Sequence, residues 1–394
     1  MLNVAAVNML GSKDIIFEIF AHAQKRRKEI GAENVFDFSL GNPSVPAPDA
    51  VKDAIFRIVS ETDPLALHGY SPTGGIPEVR ERLADDLNRR YRTAYKGRHI
   101  FLTCGAAAAL AHALRAVSNP GDEILTFAPC FPEYIPYTAG AGCRLAVIPA
   151  DTGNFQINFE RFLAMLSPKT AAVLINSPNN PSGAVYSTET IKALSGILTE
   201  KSAEYGHPIY LISDEPYRDI VFSGVDSPYI ANFYQNTLTC YSYSKSLSLP
   251  GERIGYVAVR PDCADADMLL SLFAQISRTI GHNGAPVLWQ RVAAACCGLT
   301  SDISVYEKNR DILCDALSAC GCHFVKPMGT FYLFPESPDK DAKAFCKRAM
   351  EQDVMLVPGD GFGCPGFFRL AFCVPENTVE RSLTALKKIL QHKQ

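Results

Sequence analysis

Tyr241-Ser242-Tyr243-Ser244-Lys245-Ser246-Leu247-Ser248-Leu249-Pro250-Gly251-Glu252-Arg253-Ile254-Gly255-Tyr256 is the most informative stretch of the chain. An apolar run, Thr237 to Ser242, reads as a buried strand that delivers Lys245 into a loop rich in hydroxyls. A second apolar run, Gly255 to Val259, leads away again. A lysine amine condenses with an aldehyde when its surroundings help it lose a proton. Arg253 lies eight residues beyond Lys245, and its planar fork of donors suits a phosphate, as does the hydroxyl of Ser242. A solvated surface lysine would explain Lys245 alone. It would not explain two serines, an arginine and a Gly-Tyr strand entry in the same window.

Working outward, further short apolar runs read as buried strands at Ile100 to Thr103, Glu123 to Phe127, Ala171 to Asn176 and Ile209 to Ser213. Helical patterns lie between them, among them Ala106 to Val117 and Ser187 to Glu204. This alternation predicts an α/β fold with a mostly parallel sheet covered by helices on both faces. Earlier in the chain, Ser12 is placed to cap a helix carrying Ile15, Ile16, Ile19, Phe20 and Ala23. Helices are also expected from about Pro48 to Ser60 and from Pro77. From about Pro286 to Ser318 the pattern is long and helical, and past Phe324 it becomes short strands and a final helix ending near Gln391. The expected organisation is an N-terminal segment, 1–47, packing with a smaller α+β domain, 286–394, beside a large domain, 48–285.

Other candidate site residues fall at strand ends, where parallel sheets place function. Asp214, in Ser213-Asp214-Glu215-Pro216-Tyr217, arrives at the carboxyl end of one strand. A carboxylate there can keep a ring nitrogen protonated and so maintain an electron sink, although a loop anchor would look the same. Tyr217 follows three residues later. Asn176-Ser177-Pro178-Asn179-Asn180-Pro181-Ser182-Gly183 is a turn stiffened by two prolines, with the Asn180 amide at its centre. Gly105, Ala106 and Ala107, in Thr103-Cys104-Gly105-Ala106-Ala107, join a strand to a helix with small residues only. They let an anion approach the helix N-terminus, and they equally permit close helix–sheet packing. Arg369, in Phe367-Phe368-Arg369-Leu370, is a cation among apolar residues and needs an anionic partner.

In this order the motifs resemble the class I/II aminotransferases, pyridoxal 5'-phosphate enzymes of fold type I, from about residue 35 to 390. The resemblance implies that Lys245 holds the cofactor as a Schiff base and carries a proton. It implies that Asp214 pairs with the pyridine nitrogen, and that Tyr217 and Asn180 bind the ring oxygen. It gives Gly105, Ala106, Ala107, Ser242 and Arg253 to the phosphate. Phe131, in Pro129-Cys130-Phe131-Pro132, would stack on the ring. Gly41 and Asn180 would lie near the substrate, and Arg369 would clamp its carboxylate. Tyr70, in Gly69-Tyr70-Ser71-Pro72, would reach the phosphate of a neighbouring subunit, making the active unit a homodimer. Arg278 lies about where dicarboxylate-specific relatives bind a distal carboxylate, though a solvated helix-end arginine fits the sequence equally. Serine in place of the usual threonine at Ser182 is a mild departure, whereas alanines in place of hydroxyls after Gly105 would shift phosphate binding toward backbone amides.

The expected activity is transfer of an amino group between an L-amino acid and a 2-oxo acid, with aspartate or glutamate as candidates. A β-C–S lyase would use the same pocket. A non-catalytic pyridoxal-phosphate sensor is a third reading, but no basic recognition helix precedes the aminotransferase-like region. Charge and composition agree with a small-molecule enzyme. The net charge is −3 over 394 residues, and the densest basic cluster, Lys25-Arg26-Arg27-Lys28, reads as a helix face and not a nucleic-acid patch. The 13 cysteines are scattered without metal-ligand spacing, which fits reduced thiols in a cytoplasmic protein that has no metal site and no membrane span.

Overall fold

A computed structural model describes residues 15–391, together with Leu2 and Val7. The cap expected at Ser12 lies outside the described residues. In chain order the first elements are helix α1 (Ile15–Ile30), strand β1 (Phe36–Asp37), α2 (Asp49–Glu61), α3 (Pro64–His68) and α4 (Pro77–Tyr91). Next come β2 (Ile100–Thr103), α5 (Ala106–Val117), β3 (Glu123–Phe127), α6 (Tyr134–Gly140), β4 (Arg144–Ile148), α7 (Phe159–Met165), β5 (Thr170–Asn176), α8 (Thr188–Tyr205) and β6 (Tyr210–Asp214). They are followed by β7 (Thr237–Ser242), α9 (Tyr243–Ser246), β8 (Gly255–Val259), α10 (Ala266–Ile280), α11 (Val287–Ala295) and α12 (Ser304–Ala319). The last elements are β9 (Tyr332–Leu333), α13 (Ala342–Glu351), β10 (Val354–Met355), β11 (Val357–Pro358), β12 (Phe368–Ala371) and α14 (Glu376–Gln391).

Strands β2 to β8 form one seven-stranded sheet in the order β2-β8-β7-β6-β5-β3-β4. All pairings are parallel except those of β8, which runs against both β7 and β2. The alternation of side chains along β5 shows why the strand is apolar throughout. Ala172 and Leu174 pack on one face with Ala109, Ala113 and Leu114 of α5, while Val173 and Ile175 pack on the other with Ile191, Leu194 and Leu198 of α8. Each such fully buried leucine or isoleucine contributes about 1.5–3 kcal/mol. The expected α/β architecture with a mostly parallel, helix-covered sheet is therefore what the chain adopts.

A smaller three-stranded sheet has the order β11-β12-β9, and β1 pairs in parallel with β10. The N–H of Ala371 also donates to Phe38 O at 2.9 Å, which ties the early chain to β12. The basic cluster of α1 is partly used here, since Arg26 pairs with Asp353 at 2.7 Å and Arg27 with Asp37 at 3.4 Å.

Three local readings change. Strand β4 was not expected; it is the sheet's edge, and its outer residues Arg144 and Leu145 are not buried, so the apolar run is short. The helical stretch from 286 to 318 is broken between α11 and α12. Val292, Ala293 and Cys296 of the first part pack with Val51 and Leu83, and Tyr306, Leu313 and Leu317 of the second with Phe331 and Leu370. Lys245 is not in a loop but on α9, whose cap is the Ser242 hydroxyl accepting the Ser244 N–H at 3.1 Å.

Candidate active site

Register brings the candidate residues to one end of the large sheet. Asn176 at the end of β5 stands opposite Asp214 at the end of β6, and Ser242 at the end of β7 stands opposite Gly255 at the start of β8. Thr103, ending β2, is also opposite Gly255, so Gly105 and α5 begin beside Arg253. Above this end is a cavity of about 440 Å³. Ala106, Ala107, Phe131, Asn180, Asp214, Tyr217, Ser242, Lys245, Arg253, Gly41 and Arg369 all line it.

The amine of Lys245 donates to Gly41 O at 2.7 Å. Burial lowers its pKa to about 8, helped by Arg369 and Arg253 and opposed by Cys373. A Cβ at position 41 would fall 1.7 Å from the Tyr332 hydroxyl, so a larger residue there would displace that ring. Asp214 is buried beneath the cavity. Its Oδ2 accepts from the Tyr134 hydroxyl at 2.6 Å, and its Oδ1 has no partner among the described residues. Burial raises this carboxyl to about 7, with Tyr134 pulling the other way.

Arg369 is 2% exposed. It donates to Asn180 Oδ1 at 3.0 Å and to Ser39 O at 2.5 Å, and its Nε has no partner among the described residues. Its guanidinium lies over the ring of Tyr332, 4.6 Å from the centroid. Asn180 is held in turn by its own N–H, which donates to Asn176 Oδ1 at 2.7 Å, while Asn176 Nδ2 donates to Asp214 O at 2.8 Å. The Tyr217 and Tyr332 hydroxyls meet at 3.0 Å.

At the other wall, Gly105 has φ of +81°, and a Cβ on it would lie 3.0 Å from Arg253 Nη2. No side chain caps α5. Its leading N–H groups therefore face the cradle between Gly105 and Arg253. Arg253, at φ of +53°, is held by Pro250 O at 3.1 Å and Cys104 O at 3.3 Å.

Three expected residues are not among those that line this cavity: Gly105, which lies behind its wall against Arg253, and the pair Tyr70 and Arg278. Tyr70 is fully exposed, and Arg278 is exposed on α10 with Gln275 Oε1 at 3.3 Å. Residues that line or brace the site and were not singled out from sequence include Tyr134, Tyr332, Asn176, and Phe17 of α1. Asn176 lay within a quoted motif and could have been found from its place at a strand end. The tyrosines carry no comparable signal.

The aminotransferase class I and II family model matches residues 33–386. The chain belongs to that family. This aminotransferase is 31% identical to the aspartate aminotransferase of Thermotoga maritima, over 91% of each chain. It is 29% identical to the aspartate/prephenate aminotransferase of Thermus thermophilus, over 89% of this chain and 90% of the relative. Among solved structures, an aminotransferase from Eubacterium rectale superposes with a TM-score of 0.96 at 46% identity, covering 99% of this chain and 98% of that one. The enzyme is thus a pyridoxal-phosphate-dependent transferase acting on amino and 2-oxo acids. Among the described residues no helix is long and apolar enough to cross a membrane.

Proposed function

We propose that this aminotransferase exchanges amino groups between a dicarboxylic L-amino acid of the aspartate or glutamate type and a 2-oxo acid, with Lys245 as attachment point and proton carrier. One observation carries the assignment of roles. An amine lowered to about 8, a buried carboxylate with a free oxygen and a buried guanidinium with a free Nε converge on one cavity.

The residues present fit pyridoxal phosphate. Lys245 would hold its aldehyde carbon, Asp214 its ring nitrogen through the unshared Oδ1, and Tyr217 and Asn180 its ring oxygen. Gly105, Ala106, Ala107, Ser242 and Arg253 would hold the phosphate, with the cradle that a Gly105 Cβ would fill as the supporting geometry. Phe131 would cover the ring. When bound, the cofactor supplies a carbonyl for amine exchange and a ring that withdraws electrons from the substrate Cα–H bond.

The chain's own contributions follow. Asp214, kept from water and braced by Tyr134, stabilises positive charge beside it. Arg369 replaces Asn180 or Ser39 contacts by a bidentate grip on the substrate carboxylate, next to Gly41, and thereby turns Cα–H toward Lys245. Lys245, neutral above about pH 8, takes the Cα proton and returns it on the far side of the exchange. The names of the relatives support a dicarboxylic substrate, and Arg278 would then bind the distal carboxylate. The full exposure of Tyr70 supports a homodimer in which each subunit lends Tyr70 to the other's phosphate site. Thirteen free cysteines support a reducing, cytoplasmic setting.

The deciding experiment is a donor-by-acceptor screen on purified, cofactor-loaded enzyme. Aspartate or glutamate should be the best donor, with one acceptor aminated for each donor consumed. Sustained oxo-acid release without an acceptor would make the protein a lyase.

A further inference from the structure

Gln290, on α11, has no contact with the active-site cavity and is 0% exposed. Its carboxamide is nevertheless committed to three partners on two separate segments. Oε1 accepts the Ile76 N–H at 2.9 Å, while Nε2 donates to Ser71 Oγ at 2.9 Å and to Ala285 O at 2.6 Å. Both amide hydrogens are therefore used, one on a hydroxyl and one on a backbone carbonyl.

The segments joined in this way have something in common. Ser71 follows Tyr70, and Ile76 is the N-terminal neighbour of α4. Ala285 closes the turn after α10, the helix that carries Arg278. That turn and the Tyr70 segment lie side by side, since a Cβ added to Gly284 would come 3.8 Å from Ser71 Oγ. The turn is fastened to the cavity side by the Cys104 thiol, which donates to Gly284 O at 3.7 Å. Tyr70 and Arg278 are the candidate residues that are exposed and do not line their own chain's cavity. An apolar side chain would fill the Gln290 site, but it would leave the Ile76 N–H and one Ala285 carbonyl acceptor position unpaired.

We propose that Gln290 is a positioning residue for the neighbouring subunit's active site. Its carboxamide locks the Tyr70 segment and the turn after Arg278 into one rigid unit that this subunit presents to its partner. The inference rests on the homodimer reading above, in which Tyr70 acts across the interface.

The test uses cofactor-loaded heterodimers assembled from differently tagged chains, with Lys245→Ala silencing one site. Cofactor dissociation and kcat/KM are read per intact site. Gln290→Met homodimers should bind the cofactor about tenfold or more weakly and lose kcat/KM, since small displacements of a positioning group are costly. A Gln290→Met chain paired with a Lys245→Ala chain should recover to within about twofold of wild type, because the intact site then borrows its Tyr70 from a chain with Gln290. A wild-type chain paired with a chain carrying both substitutions should show the full loss. The opposite pattern, or unchanged homodimers, overturns the proposal. If Gln290→Met does not fold, Ser71→Ala, which removes one bond only, goes through the same pairings with the same expectations. Tyr70→Phe run alongside separates the two levels. If its lesion crosses the interface and that of Gln290 does not, only the positioning role fails; if its lesion stays within its own chain, the dimer reading fails and takes the proposal with it.

Discussion

The Tyr134 hydroxyl donates to Asp214 Oδ2 at 2.6 Å and leaves Oδ1 of the same buried carboxylate without a partner among the described residues. A carboxylate so placed is half satisfied. Its second oxygen is a buried acceptor left without a partner among the described residues, and a cation arriving there gains from both attraction and the relief of that state. In the cofactor-free protein the carboxyl instead tends to keep its proton, with a pKa of about 7 against 3.8 for a free aspartate. The folded form therefore binds more protons than the unfolded form between these values. Stability from this group is fully present below pH 3.8 and is lost as pH rises through about 7. Thermal unfolding of cofactor-free wild type and Asp214→Asn, compared from pH 5 to 8, should show the variant gaining on wild type as pH rises. A constant difference would contradict the raised pKa.

Lys245 should declare its lowered pKa through the pH dependence of cofactor loading. Only the neutral amine attacks an aldehyde, so the loading rate of cofactor-free enzyme should rise about tenfold per pH unit and level off above about 8. A midpoint near 10.5, the value of an exposed lysine, would show that burial does not act on it. Lys245→Ala should abolish both borohydride trapping and turnover.

Substitution of Arg369 by lysine keeps a charge but removes the fork that touches Asn180 Oδ1 and Ser39 O. We expect KM to rise about 100-fold for every amino acid tried, because the α-carboxylate is common to all, with a smaller change in kcat. An effect confined to one class of side chain would show that Arg369 reads the side chain.

Arg278→Ala supplies the complementary test. It should lower kcat/KM for aspartate and glutamate about tenfold or more and leave alanine untouched. An equal loss for alanine would remove Arg278 from the substrate site.

Beneath the cavity floor, Arg218 pairs with Glu215 at 3.1 Å, donates to the Tyr256 hydroxyl at 2.8 Å and lies 4.1 Å from the ring centroid of Tyr241. Arg218→Ala strands the buried Glu215 carboxylate and should cost about 3–5 kcal/mol in chemical denaturation. A loss under about 1 kcal/mol would mean that water or a neighbouring group takes over the pairing.

Much of this architecture is legible in the chain because strands covered on both faces read as short, largely apolar runs whichever way they run. The runs Thr237–Ser242 and Gly255–Val259 coincide with their strands for that reason. Strand Arg144–Ile148 is hidden because an edge strand need be apolar only in part. Lys245 and Asp214 stand out because lysine and aspartate directly after apolar strands demand a reason. Tyr134 and Tyr332 do not, since one tyrosine of 16 is unremarked until distance shows what its hydroxyl meets. Tyr70 and Arg278 mark another boundary. Local sequence places them on loops and helix ends, and both are exposed in the chain itself, so their proposed roles depend on the proposed homodimer.

The single reversed strand of the large sheet has a mechanical consequence. Since β8 returns beside β7, with Ser242 opposite Gly255, the residues 242, 245 and 253 ride on one hairpin, while Arg369 is carried by the other sheet. Any shear between the two sheets would change the gap between Arg369 and Lys245 but not that between Lys245 and Arg253. With the roles proposed above, such a shear would alter the hold on the substrate carboxylate and leave the set of cofactor-holding residues on the hairpin unchanged.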